Sequence, residues 1–203
     1  CGLHFLRYCN AALEKFRDDE RVMQISGFMY PHQRPLPEYY FTRTPFIWGW
    51  ATWKRAWDKY VPDSNQLLQR MEANGKTAAF DQLGFTNNTS MLQRHVAGQL
   101  NSWAICWFAS IFNEDGICLT PGDSYTRNIG MDGSGTNFYF KVNKQQFPKI
   151  DHPFLQAGLR LKPFYHAAFE QVIEESLSAW NQPALYDRIS GKLSLLRRRY
   201  LKR

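Results

Sequence analysis

The sequence predicts an α/β fold, and three observations carry that prediction. Residues 4–19 place Phe5, Leu6, Cys9, Leu13 and Phe16 at helical spacing and end in the polar run Arg17-Asp18-Asp19-Glu20. The next segment, Val22-Met23-Gln24-Ile25-Ser26-Gly27-Phe28, reads as a buried strand closed at glycine. Later in the chain, helical patterns lead into a second short strand, Gly116-Ile117-Cys118-Leu119-Thr120-Pro121, stopped by proline. Composition agrees: 44% of the 203 residues are hydrophobic and 21% charged, enough apolar side chains for a packed core.

Between these landmarks the elements follow in order. Residues 30–38 contain three prolines and form a loop. Residues 39–48 read as a strand. Residues 51–59 read as a helix with Trp53 and Trp57 on one face. Residues 61–88 are helix and loop, and residues 90–98 and 102–112 are two further helices, with Asn101-Ser102 between them as an N-cap. Residues 122–137 are rich in Gly, Asp, Ser and Asn and are irregular. Residues 164–180 and 183–202 read as two terminal helices. The chain has no internal repeat.

The net charge is +7, but five of the positive charges fall in the last stretch, Arg197-Arg198-Arg199-Tyr200-Leu201-Lys202-Arg203. The remainder is close to neutral, which argues against a nucleic-acid partner. Such a tail is either a solvated helix end or a patch that meets an anionic membrane surface. Cys1, Cys9, Cys106 and Cys118 make no CxxC pair and no zinc-like spacing with histidine, and scattered cysteines suit a reducing cytoplasm. The expected location is therefore cytoplasmic, with the tail at the inner face of the membrane. No run of 18 apolar residues and no signal peptide occur, and Cys1-Gly2-Leu3-His4 reads as the interior of something longer. Two glycosylation sequons overlap at Asn87-Asn88-Thr89-Ser90. The dinucleotide-binding, P-loop, nucleophile-elbow and HExxH patterns are all absent. Gly130-Met131-Asp132-Gly133-Ser134-Gly135 is glycine-rich but opens no helix, so it reads as a loop rather than a phosphate cradle.

The densest signal is Trp48-Gly49-Trp50-Ala51-Thr52-Trp53-Lys54-Arg55-Ala56-Trp57, with four tryptophans in ten residues. Tryptophan clusters suit either a core or a rigid, half-wet face that meets sugars. Trp50, Trp53 and Trp57 fall at i, i+3, i+7, the spacing of a core stripe. Trp48 precedes a glycine at a strand end, where ligands of open α/β sheets bind. Trp53 and Trp57 are therefore expected in the core, and Trp48 and Trp50 near a site.

This string, together with Phe5-Leu6-Arg7-Tyr8-Cys9-Asn10-Ala11-Ala12-Leu13 and Val22-Met23-Gln24-Ile25-Ser26-Gly27-Phe28-Met29-Tyr30-Pro31, resembles bacterial sugar transferases of the glycosyltransferase family 2 kind. These are similar in turn to N-acetylglucosaminyltransferase I. A later block extends the resemblance over about residues 1–140: Asn101-Ser102-Trp103, then Gly116-Ile117-Cys118-Leu119-Thr120-Pro121-Gly122-Asp123-Ser124, then Asn128-Ile129-Gly130. The resemblance implies the acceptor-side half of a GT-A fold over residues 1–145. A helical, basic tail occupies residues 146–203. The nucleotide-binding half and its Glu-Asp-Asp metal motif are expected upstream of Cys1, so a divalent metal, Mn or Mg, belongs to the full-length enzyme and no metal ligand is expected in this chain.

The mechanism implied by the resemblance is a single inverting displacement. A carboxylate takes the acceptor's proton as its oxygen attacks the anomeric carbon of a nucleotide sugar. The base position corresponds to Asn101, and an amide cannot accept that proton, so Asn101 can only orient a hydroxyl. Asp123 and Asp58 are the substitutes. Asn137 stands where similar sequences often carry His. The implied substrate-binding residues are Ser26, Gly27, Trp48, Gly49, Trp50, Ser102 and Trp103. The implied partners are a nucleotide-sugar donor and a glycan acceptor in the full-length enzyme, in surface polysaccharide or glycoconjugate assembly, with self-association through an uncovered strand edge. The other reading is a non-catalytic carbohydrate-binding or protein-interaction module that keeps the same fold.

Overall fold

The computed structural model describes residues 1–30, 36–81 and 86–129. It contains helix α1 (Phe5–Lys15), strand β1 (Val22–Ser26), strand β2 (Tyr39–Thr42), strand β3 (Trp50–Ala51), helix α2 (Lys54–Trp57), helix α3 (Ser64–Ala73), helix α4 (Thr77–Phe80), helix α5 (Asn88–Val96), helix α6 (Trp103–Asn113) and strand β4 (Ile117–Pro121). The four strands form one mixed sheet in the order β2-β4-β1-β3. The inner strands β1 and β4 are parallel, whereas β2 and β3 run antiparallel to their neighbours. The chain therefore has an α/β fold.

Adjacent residues of a strand point to opposite faces, and β4 divides its side chains accordingly. Leu119 packs with Tyr8, Cys9, Ala12 and Phe16 of the α1 layer, together with Val22, Ile25, Tyr39, Phe41 and Tyr125. Cys118 packs with Trp107 and Ile111 of α6, together with Met23 and Ala56. Helices α1 and α6 thus cover the two faces of the sheet. On its far side α6 packs against α3 and α5 through Ile105, Phe108, Ala109 and Phe112, which meet Leu67, Met71 and Leu92. A helix covered on both sides must be apolar nearly all round, and every residue from Ile105 to Asn113 is buried.

Several expected elements change at their ends. The strand expected over residues 39–48 stops at Thr42. Thr42 Oγ1 accepts the Thr44 amide at 3.1 Å in a local turn, and Pro45 follows, which cannot donate to a ladder. The helix expected over 51–59 is corrected more deeply. Trp50 and Ala51 are extended and pair with Ser26 and Ile25, and the helix begins only at Lys54, after Trp53 in an extended N-cap conformation. The stripe Trp50, Trp53, Trp57 therefore does not exist as one helical face. Trp57, expected in the core, is 39% exposed. Trp53 is half-buried against the α1 layer, with Nε1 donating to Leu13 O at 3.1 Å. On α1, Leu6 is exposed and Tyr8 takes the buried position.

The helices expected over 90–98 and 102–112 are present as α5 and α6, and Ser102 occupies the N-cap of α6 without a side-chain capping bond. Asn88 of the sequon pair is buried and donates to Phe80 O and Thr86 Oγ1, both at 2.7 Å. All four cysteines are free thiols. No helix among the described residues is long and apolar enough to cross a membrane. The glycine-rich segment 130–135, Asn137, the domain boundary at 145, the two terminal helices and the basic tail lie outside the described residues.

Candidate functional site

Helix α6 leads through Gly116 directly into β4, so it runs opposite to β4 and to the parallel strand β1. Its first residues consequently stand at the edge where β1 and β4 end, the edge at which open α/β sheets bind ligands. Two aromatic groups meet that edge. Trp103, at the start of α6, is 46% exposed and stacks on Trp50 of β3, with centroids 5.9 Å apart and planes 27° apart. Trp50 in turn lies 6.0 Å from Trp57, which stacks on Tyr60 at 4.8 Å and 7°. Beneath them is the fully buried Trp107, 5.0 Å from Trp57 and 6.0 Å from Trp50. The result is a ladder of four partly exposed rings on a buried indole.

Trp107 is held in turn by a polar relay inside the sheet face. Its Nε1 donates to Gln24 Oε1 at 2.7 Å, and Gln24 Nε2 donates to Ser26 Oγ at 3.0 Å and to Phe46 O at 2.9 Å. A buried indole N–H needs such a partner, and the glutamine fixes the ring under the ladder.

The expected site residues divide between this ladder and its scaffold. Asn101 is exposed and Ser102 half-buried, both immediately before Trp103 at the start of α6, where backbone N–H groups are free of intrahelical partners. Trp50, Asn101, Ser102 and Trp103 are thus brought together. Trp48 belongs to a different nest, edge-on to Phe28 at 4.7 Å and near Tyr30 and Phe46. The chain turns between the two nests at Gly49, whose φ of 82° lies in the left-handed region that favours glycine.

Ser26, Gly27 and Gly49 have their polar groups committed internally. Gly27 N donates to Gly49 O at 2.8 Å, Gly27 O accepts the Tyr125 amide at 2.8 Å, and Ser26 O accepts the Tyr8 hydroxyl at 3.0 Å. The Thr126 hydroxyl donates to Trp48 O. Of the two substitute bases, Asp58 has both carboxylate oxygens 2.7 Å from Lys54 Nζ, whereas Asp123 is exposed.

Sequence reasoning missed Tyr60 and Glu38. Tyr60 was findable, since it lies three residues after Trp57. Glu38 precedes β2 and has a buried carboxylate oxygen, Oε1, with no hydrogen-bond partner among the described residues; nothing in a single sequence marks it. A pair of titratable groups between helices, His95 Nε2 and Cys106 Sγ at 3.9 Å, was also unforeseen; Cys106 is buried, and burial, together with Asp63, raises its thiol above the ordinary value. The buried phenols at the same sheet edge are shifted the same way. Tyr8 is pushed well above its ordinary value chiefly by burial, and Tyr125 is raised by burial while its hydrogen bond to Tyr39 (2.7 Å between the hydroxyls) pulls it down.

No group of three or more His, Cys, Asp or Glu among the described residues is arranged to hold a metal ion. No family model, no curated protein and no solved structure matches the chain.

Proposed function

We propose that residues 1–145 belong to the acceptor-side half of a nucleotide-sugar-dependent sugar transferase of the GT-A type, which in the full-length protein transfers a sugar with inversion to a glycan acceptor in bacterial surface assembly. One observation carries the reading. A half-exposed tryptophan, Trp103, stacks on Trp50 beside the exposed amide of Asn101, at the edge where the parallel strands end. An indole face accepts the C–H side of a pyranose ring while its edge stays wet. The Asn101 amide both donates and accepts, which suits sugar hydroxyls, and the free N–H groups at the start of α6 add donors. The work of these residues is to bind and orient a glycan. Transfer itself draws on the nucleotide sugar and divalent ion of the full-length protein, and the basic tail 197–203 and any self-association belong to that same proposal.

A second reading, a non-catalytic carbohydrate-binding module, is favoured by two facts: Asn101 is an amide, and Asp58 is ion-paired with Lys54 at 2.7 Å. Both readings require glycan binding on the tryptophan ladder, and they part on turnover of a UDP-, GDP- or TDP-sugar by the full-length protein.

The test is glycan titration followed by tryptophan fluorescence. Trp103→Ala is expected to weaken binding at least about tenfold, the scale of losing one aromatic contact of roughly 1.4 kcal/mol, with little loss of stability because the ring is 46% exposed. Unchanged affinity in a folded Trp103→Ala protein would rule out the ladder as the sugar face.

A further inference from the structure

Two aromatic side chains among the described residues are exposed, Trp57 at 39% and Trp103 at 46%; the others are buried or half-buried. Both exposed rings flank the same half-buried indole. Trp50 lies 5.9 Å from Trp103 and 6.0 Å from Trp57, centroid to centroid. The two rings come from different elements, Trp57 from α2 and Trp103 from α6, so their meeting at Trp50 is a product of the tertiary fold. Each is about 6 Å from Trp50, so they stand within about 12 Å of one another. That upper limit is within the reach of two linked pyranose rings.

An indole left more than a third exposed gives up much of the apolar burial that makes tryptophan stabilising. The Trp57 ring is nevertheless held in place. Tyr60 stacks on it at 4.8 Å with planes 7° apart, and the buried Trp107 lies 5.0 Å away. A ring fixed in advance binds a ligand without the cost of being immobilised. The charged side chains around it are committed elsewhere. Lys54 Nζ pairs with Asp58 at 2.7 Å and Lys59 Nζ with Glu20 at 3.5 Å, while the Arg55 guanidinium donates to four backbone carbonyls. An ionic ligand group would find no spare counter-charge among them, whereas an apolar C–H face loses nothing there.

We infer that Trp57 is a second sugar-contacting position, and that the glycan bound here is an uncharged oligosaccharide of at least two rings, one on Trp103 and the next on Trp57. The inference rests on the acceptor reading above. A lone sugar settles on Trp103, where the exposed Asn101 amide and the free N–H groups at the start of α6 bond its hydroxyls. Trp57 offers ring surface between paired charges, which holds a sugar too weakly by itself. A second ring tethered to the first arrives there at high effective concentration, so its contact adds to the affinity of the whole.

The experiment is calorimetric titration of the 203-residue chain with glucose, N-acetylglucosamine, their β-linked dimers, and the glucose dimer with one ring oxidised to a uronic acid. The unaltered protein is expected to bind a neutral dimer about tenfold more tightly than its monomer, the scale of one aromatic contact. Trp57→Ala removes that difference and leaves monomer affinity unchanged, whereas Trp103→Ala weakens both. The uronic acid dimer binds less well than the neutral one. Because Trp57 also packs on Trp107, a second measurement needs no substitution at the site: in protein labelled with fluorotryptophan, the dimer shifts the fluorine resonances of Trp57 and Trp103, and the monomer that of Trp103 alone. Full dimer affinity in folded Trp57→Ala, or a Trp57 resonance unmoved by the dimer, overturns the second position, and loss of binding in Trp103→Ala then leaves the acceptor reading standing. A uronic acid dimer bound as tightly as the neutral one overturns the uncharged assignment. Sugars that bind equally to Trp103→Ala, or do not bind at all, remove the acceptor reading and the second position with it.

Discussion

Arg55 spends its whole guanidinium on backbone. Nε donates to Arg17 O at 2.9 Å, one terminal nitrogen to Val22 O at 3.1 Å, and the other to Phe16 O and Asp19 O, both at 3.0 Å. Its plane lies over the Trp53 ring, 4.4 Å from the centroid. These carbonyls belong to the end of α1 and the turn into β1, so one side chain sets how α1 is delivered to the sheet. Its neighbours do similar work: the Thr52 hydroxyl donates to Met23 O at 2.6 Å, and Trp53 reaches Leu13 O. Much of the tryptophan-rich string is therefore scaffold, and Trp50 and Trp57 alone of its tryptophans join the ladder. A lysine carries the same charge but a single nitrogen, which cannot reach four carbonyls in a plane. Arg55→Lys is expected to lower the unfolding free energy by about 2 kcal/mol, the scale of charge-assisted bonds to backbone left unmade, as measured by urea titration. A loss within experimental error of zero would mean that water replaces the guanidinium at those carbonyls.

At the scale of elements, α6 joins the two halves of the packing, and Trp107 is where it grips the sheet. Trp107→Phe removes the indole N–H, leaves Gln24 Oε1 buried without a donor and opens a small gap. The expected cost is about 2–3 kcal/mol, with a matching shift in the urea midpoint and an unchanged slope. A cost near zero would mean that Gln24 reorients to another partner. Helix α6 and strands β1 and β4 were legible in the sequence because each is an apolar run of suitable length closed by a polar, glycine or proline signal. Strand β3 was not. It is two residues long, and the i, i+3, i+7 spacing of Trp50, Trp53 and Trp57 imitates a helical stripe; pairing with Ser26 and Ile25, a contact remote in sequence, decides the outcome. The site was legible to the same degree. Asn101, Ser102, Trp103 and Trp50 come together because a helix start and a strand end meet at the same sheet edge, while Trp48 turns away at Gly49. The unpartnered buried oxygen of Glu38 could not be read, since burial of a single atom is set by contacts remote in sequence.

Over the whole molecule, the cysteines provide a natural test of whether these layers behave as one unit. Cys9 lies in the α1 layer, Cys118 between the sheet and α6, and Cys106 in the layer of α3, α5 and α6. All three are buried, and Cys1 is exposed. Burial pushes the Cys9 thiol up to about 12 and raises Cys106 and Cys118 in the same direction, so at mildly alkaline pH they are both shielded and protonated, and only a thiolate attacks a disulfide reagent. With an aromatic disulfide reagent, the native protein is expected to release one equivalent rapidly, from Cys1. Because α6 contributes side chains to two of the three clusters, and the sheet links the third, opening one layer exposes apolar surface in the next. The remaining three thiols should therefore become reactive together, at a single urea midpoint that matches the loss of tryptophan signal. Mass spectrometry of the labelled peptides tells the sites apart. Labelling of Cys106 at lower urea than Cys9 and Cys118 would show that the layer of α3, α5 and α6 opens by itself, and that the grip of Trp107 on Gln24 does not bind the molecule into one cooperative whole.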